Sequence, residues 1–221
     1  MNLLLRAASW IWPLRVARYE GLNGQFEVCY QYGRKVLNTT NANQSFGSLH
    51  RVWQRCFREI GLKKDLPKHV LMLGLGGGSA VRILRKEVKC NAPITIVELD
   101  PVVERIAREH FGLGEVKDLT IVIADAFTAL PAIQGSFDLV VVDVFVDHRV
   151  PEQLTHAATL NRLVELTQPG GNLLVNTMAV DQASTVISEG VQAGLLKTGN
   201  RVQVLNPMPE NRVMWMHPPK Y

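Results

Sequence analysis

The residues most able to do chemistry here are a cluster of glycines and four acids. Gly74-Leu75-Gly76-Gly77-Gly78 lets the chain turn sharply. It also lets backbone N–H groups approach a ligand with no Cβ in the way. Glu98 comes twenty positions after Gly78, the place for a carboxylate that accepts hydrogen bonds from ribose hydroxyls. Leu99 stands beside it. Asp125 and Ala126 come next, where a carboxylate can read an adenine amino group. Asp143 ends a further strand and is a candidate cofactor contact on the same side, with Asp147 in the loop after it. Ser79, directly after the glycines, can donate to a cofactor tail or cap the following helix. A GxG loop alone is common. Its agreement with three acids at matching places points to a bound nucleoside.

These residues need a frame that gathers them at one edge. Val70 to Leu73, Ile94 to Val97, Leu119 to Ile123, Leu139 to Val142 and Leu173 to Asn176 are short apolar runs, the mark of strands buried on both faces. Helical stretches separate them: Ser79 to Val88, Pro101 to Phe111, Phe127 to Ile133, Ala157 to Thr167 and Gln182 to Leu196. Asp100 is placed to cap the helix that Pro101 opens. Pro169-Gly170-Gly171 reads as a turn, and Asp138 as a turn acid. Strands alternating with helices give a parallel sheet with right-handed crossovers, and ligands lie beyond its carboxyl ends. Val202 to Leu205 and Val213 to Met216 are joined by a short Pro-containing turn, so they are antiparallel. The predicted fold is α/β and doubly wound. It is a mainly parallel seven-stranded sheet with a C-terminal antiparallel hairpin, preceded by a small N-terminal β-hairpin segment. By analogy, that arrangement is typical of S-adenosylmethionine-dependent transferases.

The N-terminal segment, residues 1–64, is expected to stand apart from the cofactor-binding domain at 65–221. It holds a hairpin, Gln25 to Tyr30 and Lys35 to Leu37, turning at Gly33. A polar stretch from Asn38 to Gln44 follows, then a helix from Phe46 to Ile60 that Gly61 stops. Met1 to Leu14 reads as an amphipathic segment, too short for a membrane span and without a cleavage site. Trp10, Trp12, Trp53 and Trp215 read as core or interface, and His148 and His156 as surface or cap residues.

The 221 residues carry a net charge of +4 with no run of five basic residues, which gives no footprint for nucleic acid. Three scattered cysteines, Cys29, Cys56 and Cys90, match no zinc spacing, and no metal is expected. Reduced thiols suit a cytoplasmic protein.

The runs Val70 to Ser79, Ile96 to Pro101, Ala124 to Ala126, Phe137 to Asp143 and Pro169 to Gly171 resemble the spermidine synthase (aminopropyltransferase) family. The resemblance spans residues 20 to 180. It implies S-adenosylmethionine or decarboxylated S-adenosylmethionine as cofactor. Glu98 would hold the ribose, Asp125 and Ala126 the adenine, and Asp143 would stand at the catalytic aspartate, with Asp147 as the second candidate catalytic acid, since a carboxylate near the acceptor can orient an amine and take its proton. It also implies a small-molecule acceptor, an amine in that family, and a homodimer built through the N-terminal β-domain. The chain departs from the family at Ser79, where an aspartate follows the glycines. It departs again after Asp143, where Asp-Ser-x-Asp-Pro is replaced by Asp143-Val144-Phe145-Val146-Asp147. The Gln, Thr and Tyr-His-Glu segment is not reproduced over Asn38 to His50. In the family, the residues of that segment help hold the amine acceptor and the cofactor tail. An S-adenosylmethionine-dependent methyltransferase and a non-catalytic nucleoside-binding protein are the alternative readings. A nicotinamide dehydrogenase fits the final hairpin less well.

Overall fold

The computed structural model describes residues 3–22, 24–39, 43–45, 48–146 and 149–217. Asp147, the second candidate acid, lies outside the described residues, as do His148 and Phe46.

A short helix α1, Leu3–Ala8, leads into four antiparallel strands: β1 Leu14–Gly21, β2 Gly24–Gln31, β3 Arg34–Thr39 and β4 Asn43–Ser45. The expected hairpin is thus the middle of a four-stranded sheet. β1 escaped notice because Arg15, Arg18 and Glu20 interrupt its apolar pattern. Its Arg15 and Arg18 pair with Glu27 across the sheet instead. β4 is three residues long and opens on Asn43, a residue type depleted in strands. Trp10 and Trp12 are exposed.

Helix α2, Ser48–Glu59, connects to the second sheet. That sheet is built from β5 Val70–Leu73, β6 Ile94–Glu98, β7 Leu119–Ile123, β8 Phe137–Val142, β9 Thr167–Met178, β10 Arg201–Met208 and β11 Asn211–His217. Their spatial order is β10-β11-β9-β8-β5-β6-β7. The five strands β5 to β9 run parallel, and β11 lies antiparallel between β9 and β10. The mainly parallel seven-stranded sheet with its antiparallel hairpin is therefore present.

Alternate residues of each strand feed opposite cores. Val70 and Met72 pack with Val52, Trp53 and Phe57 of α2 and with Ile106 of α4, Pro101–Phe111. Leu71 and Leu73 pack with Leu160 and Leu163 of α6, Ala157–Leu166, and with Val191 and Leu195 of α7, Gln182–Lys197. This two-sided burial explains why the strands read as unbroken apolar runs. Phe26, Val28 and Leu37 of the N-terminal sheet join the first core.

Two local expectations change. The helix after the glycines is α for one turn, α3 Ser79–Arg82, and then widens to a π-helix over Ile83–Val88. Pro169-Gly170-Gly171 is not a turn between elements but a bulge inside β9, where pairing slips from Phe137↔Thr167 to Leu139↔Asn172. Asp138 is more than a turn acid. It accepts N–H bonds from Lys68 and His69 at 3.0 and 2.8 Å and fixes the entry to β5.

Candidate functional site

The carboxyl ends of β5, β6, β7 and β8 open onto one cleft of about 900 Å³, its open mouth included. Gly74, Leu75 and Gly76 line it from the end of β5, Glu98 and Leu99 from β6, Asp125 and Ala126 from β7, and Asp143 from β8. Phe26, Thr39 and Leu49 come to it from the N-terminal sheet and α2. Gly77, Gly78 and Ser79 are not among its lining residues.

Each residue is held by local backbone geometry. Gly74 has φ 90°, and a Cβ there would sit 2.2 Å from the carbonyl oxygen of Asp143. This glycine therefore sets the approach of β5 to the end of β8. Gly78 has φ 70°, and a Cβ on it would strike Leu113. Both glycines thus serve packing as well as the loop. The buried Glu98 carboxylate accepts the Leu75 N–H at 2.8 Å and the Asp100 N–H at 3.0 Å, and so ties the glycine loop to the end of β6. Burial pushes its pKa up, against the pull of those N–H donors. A carboxylate has about four acceptor positions, so further bonds to a ligand remain open.

Asp125 caps the one-turn helix α5, Ala126–Ala129, by accepting from Thr128 N and Oγ1 through one oxygen. Asp100 caps α4 through Val102 N as expected, and also accepts the Leu22 N–H at 2.7 Å from the turn after β1. Ser79 Oγ is buried and meets no hydrogen-bond partner among the described residues. His156 stands at the start of α6 without a side-chain cap bond.

Asp143 is the acid at the meeting point of several elements. Its Oδ2 accepts the indole N–H of Trp53 at 2.8 Å, and its Oδ1 accepts an amide N–H of Asn176 at 2.9 Å. Burial holds its pKa above the usual aspartate range, and the two donors oppose that rise. Sequence reasoning placed Asp143 but missed both partners. Trp53 stands in the apolar stripe of α2, and a buried indole N–H needs an acceptor, which was the available signal. Asn176 is a polar residue ending the apolar run Leu173 to Val175. Cys56, on α2, has its thiol pushed up to about 12 by burial and then by Asp143, so it stays neutral. All three cysteines are free and buried.

A methyltransferase domain family matches residues 70–171. A probable polyamine aminopropyl transferase of Bifidobacterium longum is 27% identical over 158 residues, covering 70% of this chain and 35% of that protein. An eEF1A lysine and N-terminal methyltransferase of Danio rerio is 29% identical over 130 residues, covering 54% of this chain and 19% of that protein. The chain thus spans about a third and a fifth of these relatives' lengths. The spermidine synthase of Thermotoga maritima superposes with a TM-score of 0.71 at 14% identity, covering 92% of this chain and 72% of that one. The last likeness is one of fold.

Proposed function

We propose that this chain, a divergent member of the S-adenosylmethionine-dependent methyltransferase class through residues 70–171, transfers a methyl or aminopropyl group to an amine. The observation that carries the proposal is the convergence of Gly74, Glu98, Asp125 and Asp143 on one cleft. The cleft fits an adenosyl group. Two glycines leave backbone without side chains at its wall, and Glu98 is buried with acceptor positions to spare. Glu98 would hold the ribose hydroxyls, and Asp125, Leu99 and Ala126 the adenine. When bound, the sulfonium supplies an activated carbon for transfer.

Asp143 faces the acceptor. Each of its oxygens accepts one protein donor and keeps a lone pair. It would accept a hydrogen bond from the acceptor nitrogen there and take its proton, while the new C–N bond replaces the C–S bond and the sulfur leaves as a neutral thioether. The names of the two relatives support an amine: one is a probable polyamine aminopropyl transferase and the other an eEF1A lysine and N-terminal methyltransferase. Polyamines and lysine are both nitrogen nucleophiles, although the transferred groups differ.

The test offers the chain labelled S-adenosylmethionine and its decarboxylated form, together with 1,4-diaminobutane and a lysine peptide. The labelled product identifies the group transferred. Asp143→Asn lowers turnover by roughly 10²–10⁴-fold. It leaves methylthioadenosine affinity within about threefold. A variant that turns over like the parent removes Asp143 from the reaction.

A further inference from the structure

We propose that Trp53 and Asn176 are positioning residues for this reaction: they clamp the two oxygens of Asp143 and fix which lone pairs face the acceptor. The inference rests on Asp143 being the acceptor-facing carboxylate. Neither residue lies within the matched stretch 70–171, so the chain outside the recognisable domain completes its site.

The clamp is rigid at each point. Trp53 is fully buried, and its ring lies against Phe57 with centroids 5.8 Å apart and a 32° tilt. Its N–H reaches Oδ2 at 2.8 Å. Asn176 is 1% exposed, and its Nδ2 reaches Oδ1 at 2.9 Å. The far end of that amide accepts from Asn211 Nδ2 on β11 at 3.2 Å. Turning the Asn176 amide over would set its oxygen against the Asp143 carboxylate, so the network assigns its orientation. Two elements, α2 and β9, therefore converge on one acid at the end of β8, with β11 bracing Asn176 from behind, and Gly74 already fixes the backbone of that acid.

A purely structural bridge does not account for this. A buried indole N–H is satisfied by any carbonyl, and a desolvated carboxylate is a costly choice of acceptor. A carboxylate at a cleft wall gains from being held when something in the cleft uses it. With one oxygen tied to each donor, the side chain cannot rotate to offer other lone pairs. Both donors also favour the charged form that can take a proton. Cys56 is the titratable neighbour on the same helix and remains a neutral thiol.

The experiment uses the full chain labelled with ¹⁵N, whose four tryptophans give four indole N–H resonances. The one lost in Trp53→Phe is assigned to Trp53. It is expected to titrate with pH in the parent chain and to stop titrating in Asp143→Asn. Trp53→Phe keeps methylthioadenosine affinity within about threefold of the parent. Its kcat with the amine falls roughly 10–100-fold, with a smaller change in KM. The acid limb of its kcat profile moves to higher pH, because a donor to the charged form is gone. If Trp53→Phe does not fold, Asn176→Leu gives the same three changes with α2 intact. An indole resonance indifferent to Asp143 overturns the clamp. So does an unchanged kcat and acid limb, or a parallel loss of nucleoside binding and activity. If the parent chain transfers nothing to any amine, the transfer reading falls. The indole titration then still decides whether the clamp exists.

Discussion

Glu98 and Asp143 are both acids at strand ends on one cleft, yet they are held in opposite ways. Glu98 is tied by backbone N–H groups of Leu75 and Asp100, 23 and 2 residues away in the chain. Asp143 is tied by side chains of Trp53 and Asn176, 90 and 33 residues away. The first arrangement belongs to the parallel-sheet frame and needs only glycine at the turn and an acid at the next strand end. The second needs particular side chains from helices and strands beyond the matched domain. A cleft built this way can keep the proposed nucleoside end while the proposed acceptor end diverges; the sequence departs from the spermidine synthase pattern at Ser79, beside the glycine loop, and more extensively after Asp143.

Gly74 is where the two ends are joined, so Gly74→Ala should break the comparison most severely. A Cβ at φ 90° would press on the Asp143 carbonyl from 2.2 Å. The expected cost is about 2–4 kcal/mol of folding stability, from strain and displaced backbone together. Thermal unfolding would read it, and a variant as stable as the parent would show that β5 and β8 approach differently.

Asp100→Ala sharpens the comparison with the smallest effect. It removes the cap of α4 and the bond to Leu22 N, neither of which touches the Asp143 clamp. A loss of about 1 kcal/mol is expected, lowering Tm by roughly 2–4 °C. The Trp53 indole resonance should stay where it is.

The same division explains what the sequence revealed. That Gly74, Gly76, Glu98, Asp125 and Asp143 stand at one cleft was legible because each follows a short apolar run, and strand ends in parallel sheets are where ligands bind, whereas Gly77 and Gly78 do not line it. Asp100 was legible as a cap because Pro101 follows it. Trp53 was read as core, since its spacing with Val52, Cys56 and Phe57 is that of an apolar helix face. Its hydrogen bond depends on how α2 lies across the sheet, which no local pattern encodes. β1 was hidden by charges that pair across strands. The β9 bulge was hidden because Pro-Gly-Gly is ordinary turn chemistry, and only the register with β8 shows that the strand continues through it.

The central claim, a nucleoside site anchored on Glu98 and separable from Asp143, is tested most directly by calorimetric titration with methylthioadenosine. The parent chain and Asp143→Asn are predicted to bind with similar affinity. Glu98→Ala is predicted to bind roughly 10–150-fold more weakly, the loss of a charge-assisted hydrogen bond of about 1.5–3 kcal/mol. No binding by the parent chain, or equal binding by Glu98→Ala, would contradict the account.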